Sequence, residues 1–129
     1  MKVALWCLFF NLIWLIANKA PLFRAMQRDG SGYDNHLPRQ QQSRLTGLGA
    51  RALAAHQNGF EAFGMFVAAL FIAVQAGTDP IWLNRLAVVH VVARVIYTVL
   101  YWLDWASLRT LMWSIGYLSL LAMALLGLL

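Results

Sequence analysis

Four apolar stretches, at about residues 3–24, 45–76, 81–103 and 108–129, occupy nearly the whole of this 129-residue chain. Each is at least as long as the roughly 20 residues an α-helix needs to cross the hydrocarbon core of a bilayer. Backbone N–H and C=O groups in lipid must find partners within their own segment or barrel. Uninterrupted runs of this length therefore specify helices, and the expected fold is all-α: a membrane-spanning four-helix bundle forming a single domain over residues 1–129. Composition agrees, with 61% apolar and 12% charged residues against roughly half and a quarter in soluble domains. One hydrophilic stretch remains, residues 27–44, which is too short to be a soluble domain.

The net charge of +5 is unevenly spread. Arg24, Arg28, Arg39 and Arg44, with Lys19 just before them, lie between the first two spans, against only Asp29 and Asp34. By the positive-inside rule the 27–44 loop is expected to be cytoplasmic, with both termini outside, which in a bacterium is the periplasm. That bias accounts for the basic balance without a nucleic-acid partner. The only cysteine, Cys7, lies in the first apolar run, so no internal disulfide can form. Lys2 ahead of an apolar run resembles a signal peptide, but the run continues through Lys19 and Arg24 without a small-residue cleavage site and is read as a span.

Along the chain, Pro21 is expected in the last turns of the first span, kinking it. Trp6 and Trp14 are packing or interface residues, and Asn11 and Asn18, seven apart, share one face suited to interhelical hydrogen bonds. In the loop, Asp34 or Asn35 ahead of Pro38 is placed to cap a short helix. His36 has no second histidine at ligand spacing, so it reads as a turn residue, and no metal site is expected. Gly77 to Pro80 form a tight turn, making spans two and three antiparallel. Span four has no charge after Arg109 and reads as a lipid-facing or packing element.

The polar residues inside the spans need an explanation. Arg51, Asn58 and Glu61 share one stripe of span two, and Arg94, Tyr97, Tyr101 and Asp104 share one stripe of span three. Counted from Thr78 in the turn, Glu61 lies 17 residues back and Arg94 lies 16 forward. At 1.5 Å per residue both sit roughly 25 Å below that turn. An unpaired charge in a span costs about 2.5–3.5 kcal/mol on insertion scales, so Glu61 and Arg94 are expected to pair, directly or through Asn58. Arg51 and Arg109 leave positive charge unmatched near Tyr97 and Tyr101. That surplus suits a cytoplasm-facing pocket for an anionic ligand, or anionic lipid headgroups. His90, one turn from Arg94, reads as an interhelical hydrogen-bonding residue, with a proton-relay role as the alternative.

Four short spans, the AHQNGFEAF segment, the span-three arginine followed by tyrosines and then Arg109, with the YDNHLPR loop, resemble the MAPEG family, the membrane-associated proteins in eicosanoid and glutathione metabolism. The YDNHLPR loop resembles that of bacterial inner-membrane members. The resemblance spans almost the whole chain and implies a homotrimer of four-helix protomers with glutathione as cosubstrate, bound between subunits near the cytoplasmic side. It implies thiolate chemistry on lipophilic small molecules: conjugation, peroxide reduction or isomerisation. By position, Asn58, Glu61, Arg94 and Tyr101 match the family pattern, with Arg51 and Tyr97 beside them as glutathione contacts. Arg109 matches the thiolate-stabilising arginine, and Tyr101 joins it as a catalytic candidate. Ala54 and Gln57 depart from the pattern, standing where catalytic members carry further arginines, and Tyr97 stands where a histidine occurs.

Two functional classes follow. One is a glutathione-dependent transferase or peroxidase acting on lipophilic electrophiles in the bilayer. The other is non-catalytic: a membrane scaffold, lipid-binding protein or accessory subunit in which Glu61 and Arg94 serve packing alone.

Overall fold

A computed structural model describes all 129 residues. The chain is all-helical: α1 (Lys2–Ala17), α2 (Ala20–Arg28), α3 (Pro38–Ser43), α4 (Gly47–Gln75), α5 (Pro80–Trp102) and α6 (Ala106–Leu128). Four helical segments are long and apolar enough to cross a membrane: Lys2–Arg28, Gly47–Gln75, Pro80–Trp102 and Ala106–Leu128. α5 packs most extensively on α6, α4 lies against both, and α1 leans on α4 and α5.

The first segment differs from expectation. It is broken at Asn18 and Lys19, and Pro21 sits in the first turn of α2 rather than the last turns of one kinked helix. Proline has no N–H to return to the carbonyl of residue 17, so the ladder stops and restarts, and Pro is well tolerated at a helix start. Lys19 N–H bonds to Ile16 O at 3.1 Å, a tightened turn at the break, and helix then continues to Arg28, four residues beyond the expected end. The junction is clamped from α4: His56 Nδ1–H donates to Asn18 Oδ1 at 2.8 Å. Trp14 meets the Trp102 ring here, with centroids 6.5 Å apart.

Small residues let the helices approach closely. The main core holds Ala4, Phe66, Ala69, Leu70, Ala73, Leu83, Ala87, Leu120 and Met123, all buried. Among helices in lipid, such small-residue contacts supply the van der Waals attraction that hydrophobicity does not. Leu22 and Met26 of α2 bury against Ala52 of α4 in a separate, smaller cluster. The α4–α5 connection is a tight turn, as its residues require. Gly77 takes φ +74°, and Asp79 Oδ1 accepts the Ile81 N–H at 2.8 Å ahead of Pro80. α5 closes in the same way with a non-glycine residue, Asp104 at φ +63°. Asp104 N–H bonds to Tyr101 O at 3.2 Å and Trp105 N–H to Leu100 O at 3.0 Å, the paired bonds of a Schellman stop. Asp104 therefore lies in the turn and not on the helical stripe of Arg94, Tyr97 and Tyr101.

The hydrophilic loop is ordered around Gln41, which is 1% exposed. Its Nε2 donates to Met26 O at 3.1 Å, Asp29 Oδ2 at 3.2 Å and Gly32 O at 2.8 Å, while its Oε1 accepts the Asp34 N–H at 2.9 Å. Asp34 does not cap α3, whose cap is Leu37 without a side-chain bond. Asp34 Oδ1 instead accepts the N–H groups of His36 at 2.9 Å and Leu37 at 3.1 Å, just outside the helix. Those two amides, Leu37 foremost, hold the exposed Asp34 carboxyl below the ordinary value of 3.8.

Candidate functional site

The polar residues of α4, α5 and α6 meet in one column. Arg94, only 5% exposed, donates from Nη2 to Asn58 Oδ1 at 2.8 Å, and Asn58 Nδ2 donates to Glu61 Oε2 at 2.8 Å. Glu61 therefore reaches Arg94 through Asn58, the relayed form of the two pairings the depth comparison allowed. The relay gives the guanidinium an acceptor while leaving Glu61 on the exposed face of α4.

Below Arg94 the helix spacing of three and four stacks two phenols under the guanidinium. The Arg94 Cζ lies 4.1 Å from the Tyr97 ring centroid, and Tyr97 meets Tyr101 edge to face at 5.6 Å. From the start of α6, Arg109 closes the column with its Cζ 4.1 Å from the Tyr101 centroid. Two cations thus cap a pair of electron-rich rings, contacts worth about 0.5–2 kcal/mol each depending on desolvation. Tyr97 is buried, whereas Tyr101 and Arg109 are half-buried and reachable.

A cavity of about 180 Å³ opens beside this column, lined by Asn58, Tyr97, Tyr101, Arg109, Thr110 and Trp113. Its only charged wall is Arg109, so it suits an anion. Thr110 and Trp113 are residues that sequence reasoning missed, because α6 was read as a packing element. The signal was present: Arg109 and Trp113, four apart, occupy one helix face.

Arg51 is not brought to this cavity. Its Nε and Nη2 both donate to Trp102 O at 3.3 Å, fastening α4 to the carboxyl end of α5, where the helix dipole favours a cation. His90 also serves the scaffold: fully buried, it donates from Nδ1 to Gly116 O of α6 at 3.0 Å and packs on Phe66 at 4.8 Å.

On the other side of α4 lies a larger cavity of about 540 Å³, whose polar wall includes Lys19, Tyr33, Arg39, Gln42, His56 and Gln57. Helix α4 thus presents the Asn58 cavity on one flank and the Gln57 cavity on the other, with Glu61 exposed between them.

The order of these features along the chain, from the relay in α4 to the tyrosine pair of α5 and the arginine opening α6, extends over three of the four membrane-long segments. A search of curated proteins finds no match. Comparison with family models matches residues 3–129, essentially the whole chain, to the MAPEG family. The column is thus set in a four-span membrane protein that belongs to the MAPEG family.

Proposed function

We propose that this membrane protein binds glutathione at the column and uses its thiolate against lipophilic electrophiles, as a transferase or peroxidase. The observation that carries the reading is Arg109, a half-buried cation held over Tyr101 at the mouth of a cavity that contains no carboxylate. A nearby fixed cation favours thiolate over thiol, whose free pKa is about 8.5. Preorganised charge of this kind also stabilises the anion without reorganisation during reaction. Arg109 is the thiolate stabiliser, and Tyr101 both positions it and offers a phenolic O–H to the sulfur. Asn58 and Tyr97 form the wall that orients the peptide, and Arg94 and Glu61 hold the Asn58 amide in place. Arg51 contributes by holding α4 against α5.

A homotrimer fits this reading. The 180 Å³ cavity is smaller than the roughly 300–1,000 Å³ of typical ligand sites, so one protomer supplies only part of the wall. The cavity flanked by Lys19, Arg39 and Gln57 is the natural complement from a neighbour, and its cations match glutathione's carboxylates in place of the arginines replaced by Ala54 and Gln57. Glu61, Gly64, Ala68 and Phe71 form an exposed stripe on α4. An exposed carboxylate within a span favours protein over lipid as its cover, and Gly64 and Ala68, four apart, permit close helix approach. The arginine bias of the 27–44 loop supports a cytoplasmic position for that loop in a bacterial inner membrane, with both termini periplasmic.

In a conjugation reaction with a chlorinated aromatic, the thiolate forms a carbon–sulfur bond as chloride leaves with its electron pair. The test is to measure conjugate formation by purified protein with glutathione and such an electrophile. The expected result is a rate above the uncatalysed background that Arg109→Ala lowers by about 100-fold, as for loss of one anion-stabilising donor. No rate above background with the intact chain sinks the enzyme reading and leaves the non-catalytic scaffold.

A further inference from the structure

Between α2 and the first turn of α4 runs an open groove of about 510 Å³, lined by Pro21, Arg24, Arg28, Thr46, Leu48 and Gly49 among others. Its floor is a close helix contact: a Cβ built on Gly49 would lie 3.0 Å from the Cβ of Ala25. Arg24 and Arg28, four apart on α2, are exposed, and no carboxylate lines the groove. Asp29, adjacent in sequence, is occupied by Gln41 Nε2. The opposite wall is the start of the 29-residue α4, where Thr46 makes no side-chain cap and the helix dipole adds positive potential.

Position selects the occupant. Lys2–Arg28 is 27 residues long, about 40 Å of helix at 1.5 Å per residue, whereas the hydrocarbon core takes about 30 Å. The last turns, carrying both arginines, therefore reach headgroup level. Phe23, 42% exposed and 5.2 Å from Tyr33, adds an aromatic pair suited to that level. Pro21 and Leu48 give the groove an apolar side beside its cationic one, matching a charged head joined to acyl chains.

We propose that this groove is a binding site for the phosphate of an anionic phospholipid, separate from the Asn58–Arg109 cavity. The two arginines hold the phosphate oxygens, while Pro21 and Leu48 contact the glycerol and upper acyl carbons. Inorganic phosphate lacks the part that the apolar side recognises.

Native mass spectrometry of the full chain, released from bilayers doped with phosphatidylglycerol or made of phosphatidylcholine alone, reads bound lipid and assembly mass together. The intact chain should retain phosphatidylglycerol in preference to phosphatidylcholine. The Arg24→Gln/Arg28→Gln double variant should lose that retention about twenty-five-fold, a factor of about five per arginine at an anionic surface. Arg44→Gln, exposed and outside the groove, should retain it, and millimolar inorganic phosphate should not displace the lipid. Equal retention of both lipids, undiminished retention by the double variant, or displacement by phosphate overturns the proposal. A double variant with altered assembly mass and unchanged lipid assigns the groove to a second copy of the chain, and also overturns it.

Discussion

Arg94 and Glu61 sit on neighbouring helices at the same depth, yet they communicate through the amide of Asn58, with 2.8 Å on either side. An amide can accept from the guanidinium through its oxygen and donate to the carboxylate through its nitrogen at once. The arrangement keeps Arg94 bonded inside the protomer while the carboxylate stays at the surface.

Asn58→Leu removes both functions and leaves Arg94 with only the Tyr97 ring. The expected loss is about 2–3 kcal/mol, the penalty for stranding a buried charged donor. Glu61→Gln preserves an acceptor for Asn58 Nδ2 and should cost less. Thermal unfolding of the purified variants in one detergent checks the order.

Tyr101→Phe keeps a ring under Arg109, whereas Tyr101→Ala removes it. If ring contact positions the guanidinium, glutathione affinity falls about fivefold in the alanine variant, as expected for one partly exposed cation–π contact, and little in the phenylalanine one. Calorimetric titration with glutathione separates these outcomes. Equal loss in both would assign the role to the phenolic O–H.

Gln41→Ala should loosen the 29–37 segment, because four hydrogen bonds converge on this one buried side chain. Local opening is expected to become easier by about 2–3 kcal/mol. Trypsin cleavage after Arg28 and Arg39 should accelerate, with the membrane-spanning helices unchanged by circular dichroism.

Two glycines on α4 separate protomer from assembly. At Gly59 a Cβ meets Leu15 Cδ2 and Asn18 Nδ2 at 3.3 Å, so Gly59→Ala should destabilise the fold by about 1–3 kcal/mol through overpacking. At Gly64 nothing lies within 4 Å. Gly64→Leu should leave the protomer folded but weaken the proposed trimer if its interface runs along α4, as measured by native mass.

The Asp34 carboxyl is held below 3.8 by the Leu37 and His36 amides. Its contribution to loop order is full above the ordinary aspartate range and disappears as pH falls through the depressed folded value. The amide proton shifts of His36 and Leu37 should titrate together with a midpoint below 3.8, and Asp34→Ala should abolish that step.

Much of this architecture was legible because the bilayer imposes it. Span number, the Gly77–Pro80 turn and the level placement of Glu61 and Arg94 follow from helix rise and apolar length. The break at Asn18 was harder to read, since Pro21 can either end one helix or begin the next, and His56 across the junction shows which. Arg51 looked like part of the polar stripe because Cα periodicity does not reveal where a long side chain reaches. Asp104 left the stripe because backbone bonds at a helix end override periodicity. The reverse happened in α6, where a single charge hid the face carrying Thr110 and Trp113. Gln41 sits in a run of three glutamines, and only the folded loop distinguishes the one that is buried.

That buried glutamine has a practical consequence. By tying residues 26, 29, 32 and 34 together it makes the connection between the first two spans a stiff arm, with Asn35 exposed at its tip. A spin label attached at residue 35 would therefore report the arrangement of protomers instead of its own wandering. In a threefold assembly, pulsed electron resonance should return one narrow separation, the edge of an equilateral triangle drawn on the membrane surface.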